Sequence, residues 1–586
     1  MYHNPMPCQN HIHRTKIDLP FQNRPGKAHG EPLGCILGAT REPKMKSSRS
    51  DASLTVRDSS YRSAVIVLLM LGAVMVVSDP YFTFIEDEVQ MISAAANPVG
   101  QIINLFIHGT GLHKHPPLYD LLLHGWLQIT GGQMRLLRLP SMGFYLLGIG
   151  VLVATARKVS GAKAARTVLW VTALWPFGFH FGRLAAWYSL SFLLVATLTY
   201  RYLTFLTTRT FKNWLLAVIP AILLLYTSYF GWAILACVFL DYVLQTRHES
   251  RRHWPHILFT ALLLIVAFLP LMAVFLAAIG IGVGNENSVP RTALLEAFNI
   301  YALFASESVA PWYWTLGIPV AIAITTCAAS VLLYAPPVAR RLFVYFLLLI
   351  TGMSLLGIIG TKRLLMISAW AVLPVGLCLG TLRTRRWKAF LLACLLVIAG
   401  VGWFGTVARR FYAAPRFIEP WNRVAKQMAK AVGDGDVVIA THPSFFFYLT
   451  YELHRLEKGS SLNLAEVWPY GVEGLPVYNP LSWQEKGRPV SVNVFVVKDV
   501  SSASGLDDAE TYLTDHCTVV EVNRLLPDSG FSLKERFLPG FPQVRYRIEL
   551  QHYNCSRKSK LNIDIRSGSA CRRSSPTEHP GETPAG

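Results

Sequence analysis

The residues best suited to chemistry lie between 79 and 117. IEDEV places Glu86, Asp87 and Glu88 side by side, and HGTGLHKHPP then brings His113, Lys114, His115, Pro116 and Pro117. Acids are scarce here, 35 against 55 Lys and Arg, so three in a row stand out. A carboxylate can take the proton from an acceptor hydroxyl or amine as it attacks an electrophilic carbon. Cations nearby stabilise an anionic leaving group such as a phosphate, and Lys and Arg are its usual partners. His115 serves the same purpose when protonated, or by donating from one ring nitrogen. The prolines after it stiffen the chain where it enters the next apolar stretch. The plainer alternative is a charged, solvated loop.

Other chemistries find less support. There is no GxxxxGK[ST] phosphate loop and no HExxH. His108, His113 and His115 lack the i, i+4 spacing of a helical zinc pair, and the nine cysteines show no metal-ligand spacing. No protein-ligated metal or other cofactor is therefore expected, although an acidic cluster is able to hold a divalent cation through oxygen ligands.

The elements that must position these residues are membrane helices. Of 586 residues, 52% are hydrophobic and 15% charged. Apolar runs of membrane length occur at about 63–78, 139–156, 165–181, 184–206, 213–230, 231–246, 257–279, 312–334, 342–360, 364–381 and 389–407. A bilayer core takes about 20 residues per helix. The short stretch 118–130, with Asp120 and His124, is an interfacial helix or a short crossing, so about 11–13 spans are expected. With the N-terminus inside, Arg157, Lys158, Lys163, Arg166, Arg209, Lys212, Arg247, Arg251, Arg252, Arg340, Arg341, Arg383, Arg385, Arg386 and Lys388 all fall on one side. The net charge of +20 then reflects topology and calls for no nucleic-acid partner.

The opposite face collects Glu86, Asp87, Glu88, His113, His115, His180, Arg183, Tyr226, Tyr229, Glu286, Glu296, Lys362 and Arg363. Charged groups at membrane depth are costly and mark sites, although Tyr, Lys and Arg are also common at interfaces.

Four regions follow: a disordered basic cytoplasmic tail (1–60), a transmembrane domain (61–407) with its catalytic outer loop at 79–117, an extracytoplasmic α/β domain (408–555) and a disordered tail (556–586). In the third, WNRVAKQMAKAV (421–432) reads as an amphipathic helix, GDVVIA (435–440) and VNVFVVK (492–498) as strands, and 444–455 as a second helix. Cys517 and Cys555 are able to pair if this region is exported.

In order and spacing these motifs resemble the GT-C glycosyltransferases, in particular glycosyltransferase family 39, the protein O-mannosyltransferase and aminoarabinose-transferase type. IEDEVQMISAAA matches the family's DE loop, and HKHPPLYDLLLHGWLQITGG its Pro-Pro segment. RLLRLPSM, FGRLAAWYSLSFLL, LLLYTSYFGW and TKRLLMISAWAVLP match later motifs. The resemblance spans about residues 60–450. It implies a polytopic GT-C fold that takes a sugar from a polyprenyl-phosphate donor in the membrane and passes it to a lipid, glycan or protein acceptor. A bacterial inner or plasma membrane location goes with it, the site and the C-terminal domain facing outward. It implies Asp87 as base with Glu88 beside it. It places His115 and Arg363 on the donor phosphate, with Lys362 and Arg183 as further contacts, and His113, Tyr188 and Tyr229 near substrate. Gln90, Met91 and Ile92 stand where the family has a Tyr, and Leu364 where Tyr often follows the late Arg. A lipid-linked sugar flippase or transporter, or a non-catalytic relative of the same fold, is the alternative. Against transport stand the absence of a repeat and the gathering of charges at one face.

Overall fold

The computed structural model describes residues 50–82, 84–108, 115–247, 250–282, 289–307, 314–356, 360–408, 410 and 421–431. In the C-terminal part it describes 437–440, 449, 452, 477–478, 493–499, 513–514, 517–525 and 548–555. The chain divides into Met1–Val56, of which only the helical Ser50–Val56 is described, and Arg57–Gly586, which holds everything below.

The first apolar run is helix α1 (Ser50–Ser78), which starts ahead of the expected position near Ser63. Two short helices follow, α2 (Glu86–Ala95) and α3 (Val99–His108). The stretch 118–130 is α4 (Leu118–Thr130). At 1.5 Å per residue it is about 20 Å long, too short for a hydrocarbon core of about 30 Å.

Helix α5 (Leu139–Ala173) carries two of the expected spans as arms on either side of Gly161, whose φ of 84° breaks the helix where the basic residues cluster. Only glycine adopts that conformation without a Cβ penalty. Then come α6 (Pro176–Phe181), α7 (Tyr188–Thr208), α8 (Phe211–Leu225), α9 (Gly231–Thr246) and α10 (Ser250–Gly282). They are followed by α11 (Val289–Ala305), α12 (Trp314–Tyr334) and α13 (Pro337–Leu355). A single 3-10 turn, Thr361–Arg363, leads into α14 (Leu364–Ile367) and α15 (Ala369–Thr381), bent by 58° from one another, and α16 (Arg385–Trp403) closes the bundle. Among the described residues seven helices are long and apolar enough to cross a membrane, or up to eight counting the bent pair. Helices α8 and α9, at 15 and 16 residues, are shorter.

The helices meet at small residues. Gly148 lies against Phe192 of α7, and Gly376 and Gly380 of α15 lie against Val168 and Ala164 of the second α5 arm. Thr167 also donates to the Gly376 carbonyl (2.8 Å). Such close backbone approach is how helices pack where water cannot drive them together. Away from the site, buried Asp241 of α9 accepts from Tyr202 (2.6 Å), Arg341 (2.8 Å) and Tyr345 (3.0 Å), joining α7, α9 and α13. Leu69, Met70, Val77, Leu262 and Leu269 are exposed, a lipid-facing pattern.

The C-terminal part contains α17 (Trp421–Ala431) and a five-stranded sheet: β1 (Val437–Ala440), β2 (Val477–Tyr478), β3 (Asn493–Asp499), β4 (Thr518–Leu525) and β5 (Ile548–Asn554), in the order β2-β1-β3-β5-β4. Strands β1, β2 and β3 are parallel, whereas β5 runs antiparallel to β3 and β4. Cys517 and Cys555 form a disulfide beside β4 and β5. The helix expected over 444–455 lies outside the described residues except for Leu449 and Glu452.

Candidate active site

The acidic stretch opens α2, and its two described carboxylates point into different environments. Glu88 is the third residue of α2, three after the N-cap Ile85, so its Oε2 accepts the Ile85 N–H (3.1 Å) in a capping box. Arg138, at the head of α5, grips the same carboxylate through Nε and Nη2, both at 2.7 Å. The Ala185 N–H donates to Oε1 at 2.9 Å. Arg138 also donates through Nη1 to Asp79 (3.0 Å) and to the Phe82 carbonyl (3.1 Å), with Phe84 under its guanidinium. Glu88 is fully buried, and four donors with a bidentate Arg are what an ionised carboxylate needs there. This cluster ties the end of α1, the start of α2, the start of α5 and the turn before α7 into one frame.

Asp87 projects elsewhere. Its Oδ2 accepts from the Tyr188 hydroxyl (2.5 Å) and lies 3.0 Å from Lys362 Nζ. The Asp87 and Lys362 side chains remain 27% and 36% exposed, so a ligand can reach them. Burial pushes the Asp87 carboxyl up, but Lys362, the Tyr188 hydroxyl and Arg363 together hold it below the usual carboxylate range. The Arg363 guanidinium stands over the Phe230 ring at 5.3 Å. The 3-10 turn that carries both cations is anchored by Thr361, which donates to Asn299 Oδ1 of α11 (3.2 Å).

The His115 ring lies 5.4 Å from that of Trp187, which in turn adjoins Tyr188 at 4.4 Å. The segment after Pro-Pro is fixed by the Leu118 N–H donating to the Tyr226 carbonyl (3.1 Å), which brings the loop between α8 and α9 alongside.

The structure therefore gathers Asp87, Tyr188, Lys362 and Arg363, with His115 against Trp187, the neighbour of Tyr188. It places Arg183 differently. That side chain is fully buried, its guanidinium 3.8 Å from the Phe82 ring centre and 4.3 Å from that of Phe179, with Nη2 donating to Ser78 and Nε to the Phe179 carbonyl. Tyr229 turns its ring to Phe268 and Phe275 of α10, and its hydroxyl is buried without a hydrogen-bond partner. His113, Lys114, Glu286 and the Glu86 side chain lie outside the described residues. Asp120 is buried with Oδ1 unpartnered, and desolvation pushes its carboxyl up to about 8. Next to it the Tyr119 hydroxyl pairs with Ser141 (2.8 Å). His124 Nδ1 lies 2.9 Å from the Ala95 carbonyl and so joins α4 to α2. Among the described residues no group of three or more His, Cys, Asp or Glu side chains gathers to hold a metal ion.

Residues 114–274 match the family model described as dolichyl-phosphate-mannose-protein mannosyltransferase. The crystal structure of ArnT from Cupriavidus metallidurans bound to undecaprenyl phosphate superposes with a TM-score of 0.50 at 12% identity, covering 83% of this chain and 97% of that one. Its apo form gives 0.50 and 12%, covering 86% and 98%. The chain has the GT-C glycosyltransferase fold. No curated protein sequence matches it.

Within this GT-C fold the family match begins at Lys114, so neither the Asp87–Glu88 pair nor the Lys362–Arg363 pair lies in the matched segment. Their meeting is a result of the tertiary structure. Sequence reasoning also missed Arg138 and Asp79. The available signal was the second Arg of RLLRLPS, just ahead of a long apolar run, and an acidic stretch that needed a buried counter-charge.

Proposed function

We propose that this chain is an integral membrane glycosyltransferase that moves a sugar from a polyprenyl-phosphate donor to a lipid, glycan or protein acceptor. The observation that carries the reading is the Asp87–Lys362 pair at 3.0 Å, reachable from outside and flanked by Arg363 and Tyr188. A base and a phosphate-binding cation side by side are what displacement at a phosphate-bearing carbon requires. Undecaprenyl phosphate bound to the similarly folded ArnT supports the lipid class of the donor.

In this mechanism Lys362 and Arg363, with His115, hold the donor phosphate. Drawing Lys362 toward the phosphate removes the charge that depresses Asp87, so donor binding strengthens the base. Asp87 then takes the acceptor proton as the acceptor oxygen or nitrogen bonds to the anomeric carbon. The bond from that carbon to the phosphate oxygen breaks, and the electron pair leaves with the polyprenyl phosphate. Tyr188 orients Asp87. Glu88 and Arg183, both buried, hold the frame. The side away from the basic loops is the outer one, and the Cys517–Cys555 disulfide supports an oxidising compartment for the C-terminal domain.

Sugar transfer by purified protein with a panel of polyprenyl-phosphate sugars tests the reading. Wild type should release polyprenyl phosphate, and Asp87→Ala should lose activity by about a hundredfold or more while still binding donor. An Asp87→Ala protein of full activity would sink the assignment of the base. Donor binding by wild type with no release from any donor would point to a flippase or a catalytically silent relative.

A further inference from the structure

A second feature lies along the flank of the bundle. An apolar groove of about 330 Å³ runs between the second arm of α5, α15 and α16. Its walls include Val171, Leu174, Val375, Leu379, Leu392 and Leu396. Leu174, Leu392 and Leu396 are exposed, as is Trp170 at the rim, so the groove opens on the lipid-facing side. Lys388 is the single charged residue in the lining. Lys163 is close enough for the two charges to act on one another. Neither lysine forms an ion pair among the described residues. Arg166, Arg385 and Arg386 are exposed in the same two junctions.

Lys388 stands in the apolar lining and neither it nor Lys163 has a carboxylate partner among the described residues, so an anion beside them offsets their mutual repulsion. From Lys388 to Ala399 the groove follows α16 for about 16 Å at 1.5 Å per residue. That is about half the hydrocarbon core, the depth of one leaflet. A ligand with a phosphate at the basic end and one leaflet's length of alkyl chain fits these dimensions.

We propose that this groove is a binding site for an anionic phospholipid. The phosphate sits between Lys163 and Lys388, and one acyl chain lies along α16. Basic pockets between transmembrane helices on the cytoplasmic side favour such head groups. The site is separate from the Asp87–Lys362 centre and does not depend on the glycosyltransferase reading.

The test uses the full-length protein in vesicles containing trace phosphatidylglycerol or phosphatidylcholine with the same diazirine-bearing acyl chain. After irradiation, labelled peptides are mapped by mass spectrometry. Phosphatidylglycerol should label residues 167–176 and 388–399 on the order of tenfold more than phosphatidylcholine. Lys163→Ala/Lys388→Ala should bring the two lipids level. Ala399→Trp, which fills the groove, should remove label from both. Equal labelling by the two lipids in wild type overturns the proposal, as does a preference that survives loss of both lysines. Lys163→Glu, a change on an exposed side chain, gives the same reading if the double variant fails to fold.

Discussion

Asp87 and Asp120 show how the same residue type acquires opposite properties from its surroundings. Lys362, Tyr188 and Arg363 hold Asp87 below the usual carboxylate range, so its base form persists into acid. The acid limb of the kcat/KM profile should therefore lie below about pH 4, the ordinary Asp value. Lys362→Met removes the largest opposing charge. The limb should then move to higher pH and KM for the donor should rise, both read from one pH series of initial rates. An unmoved limb would mean that Lys362 does not act on Asp87 in the free enzyme.

Asp120 has no cation beside it among the described residues, and burial pushes its carboxyl up to about 8. Its folded value lies above its unfolded value of about 3.9, so the folded state binds the proton more tightly. Stability from this residue is full below about pH 4 and declines as pH rises toward about 8. Melting temperatures of wild type should fall across that window, and Asp120→Asn should flatten the decline.

The decisive contacts between elements are made by the Asp79–Arg138–Glu88 cluster, which holds the start of α2 against α1, α5 and the turn before α7. Removing one partner of a buried pair leaves an uncompensated charge and costs about 3–5 kcal/mol. Arg138→Ala should lower the melting temperature in detergent sharply. Glu88→Ala/Arg138→Ala should cost less than the sum of the single changes, because no charge is stranded in the pair. Additive losses would show that the two do not act together. Apolar length located the helices but not the number that cross: the eleven expected runs fall on described helices, yet two of them share α5, and among the described residues seven helices, or up to eight, are long and apolar enough to span where about 11–13 were expected. The division of 139–181 was visible as well, because basic residues cluster around Gly161. Less legible was α1, which runs upstream to Ser50 through a polar stretch. Helix propagation from an established apolar segment is cooperative and leaves no apolar pattern to read.

At the scale of the molecule, the chain joins a membrane bundle to a sheet whose last two strands are clasped by Cys517 and Cys555, 38 residues apart. Closing a loop of that length stabilises by about 4 kcal/mol in the chain-entropy account. Cys517→Ala/Cys555→Ala should make β4 and β5 the first segments cut in limited proteolysis, with the membrane part unchanged. A digestion pattern identical to wild type would show that the disulfide is not what holds this edge. Two strands, β1 and β3, were visible as short apolar runs. Strand β4 was not, because it lies at the edge with mostly exposed side chains, and β5 mixes Glu549 and Gln551 into its buried positions.

By itself the sequence determined that this is a polytopic helical protein, which ends carry the basic loops, and which residue types are available for carboxylate and phosphate chemistry. Those follow from local quantities: apolar length, the cost of charge in lipid and the identity of side chains. Pairing was decided only in three dimensions. Adjacent Asp87 and Glu88 are both carboxylates, yet on a helix neighbouring residues point about 100° apart. One therefore faces Lys362 and Tyr188, the other Arg138, and each partner lies on a different, distant segment.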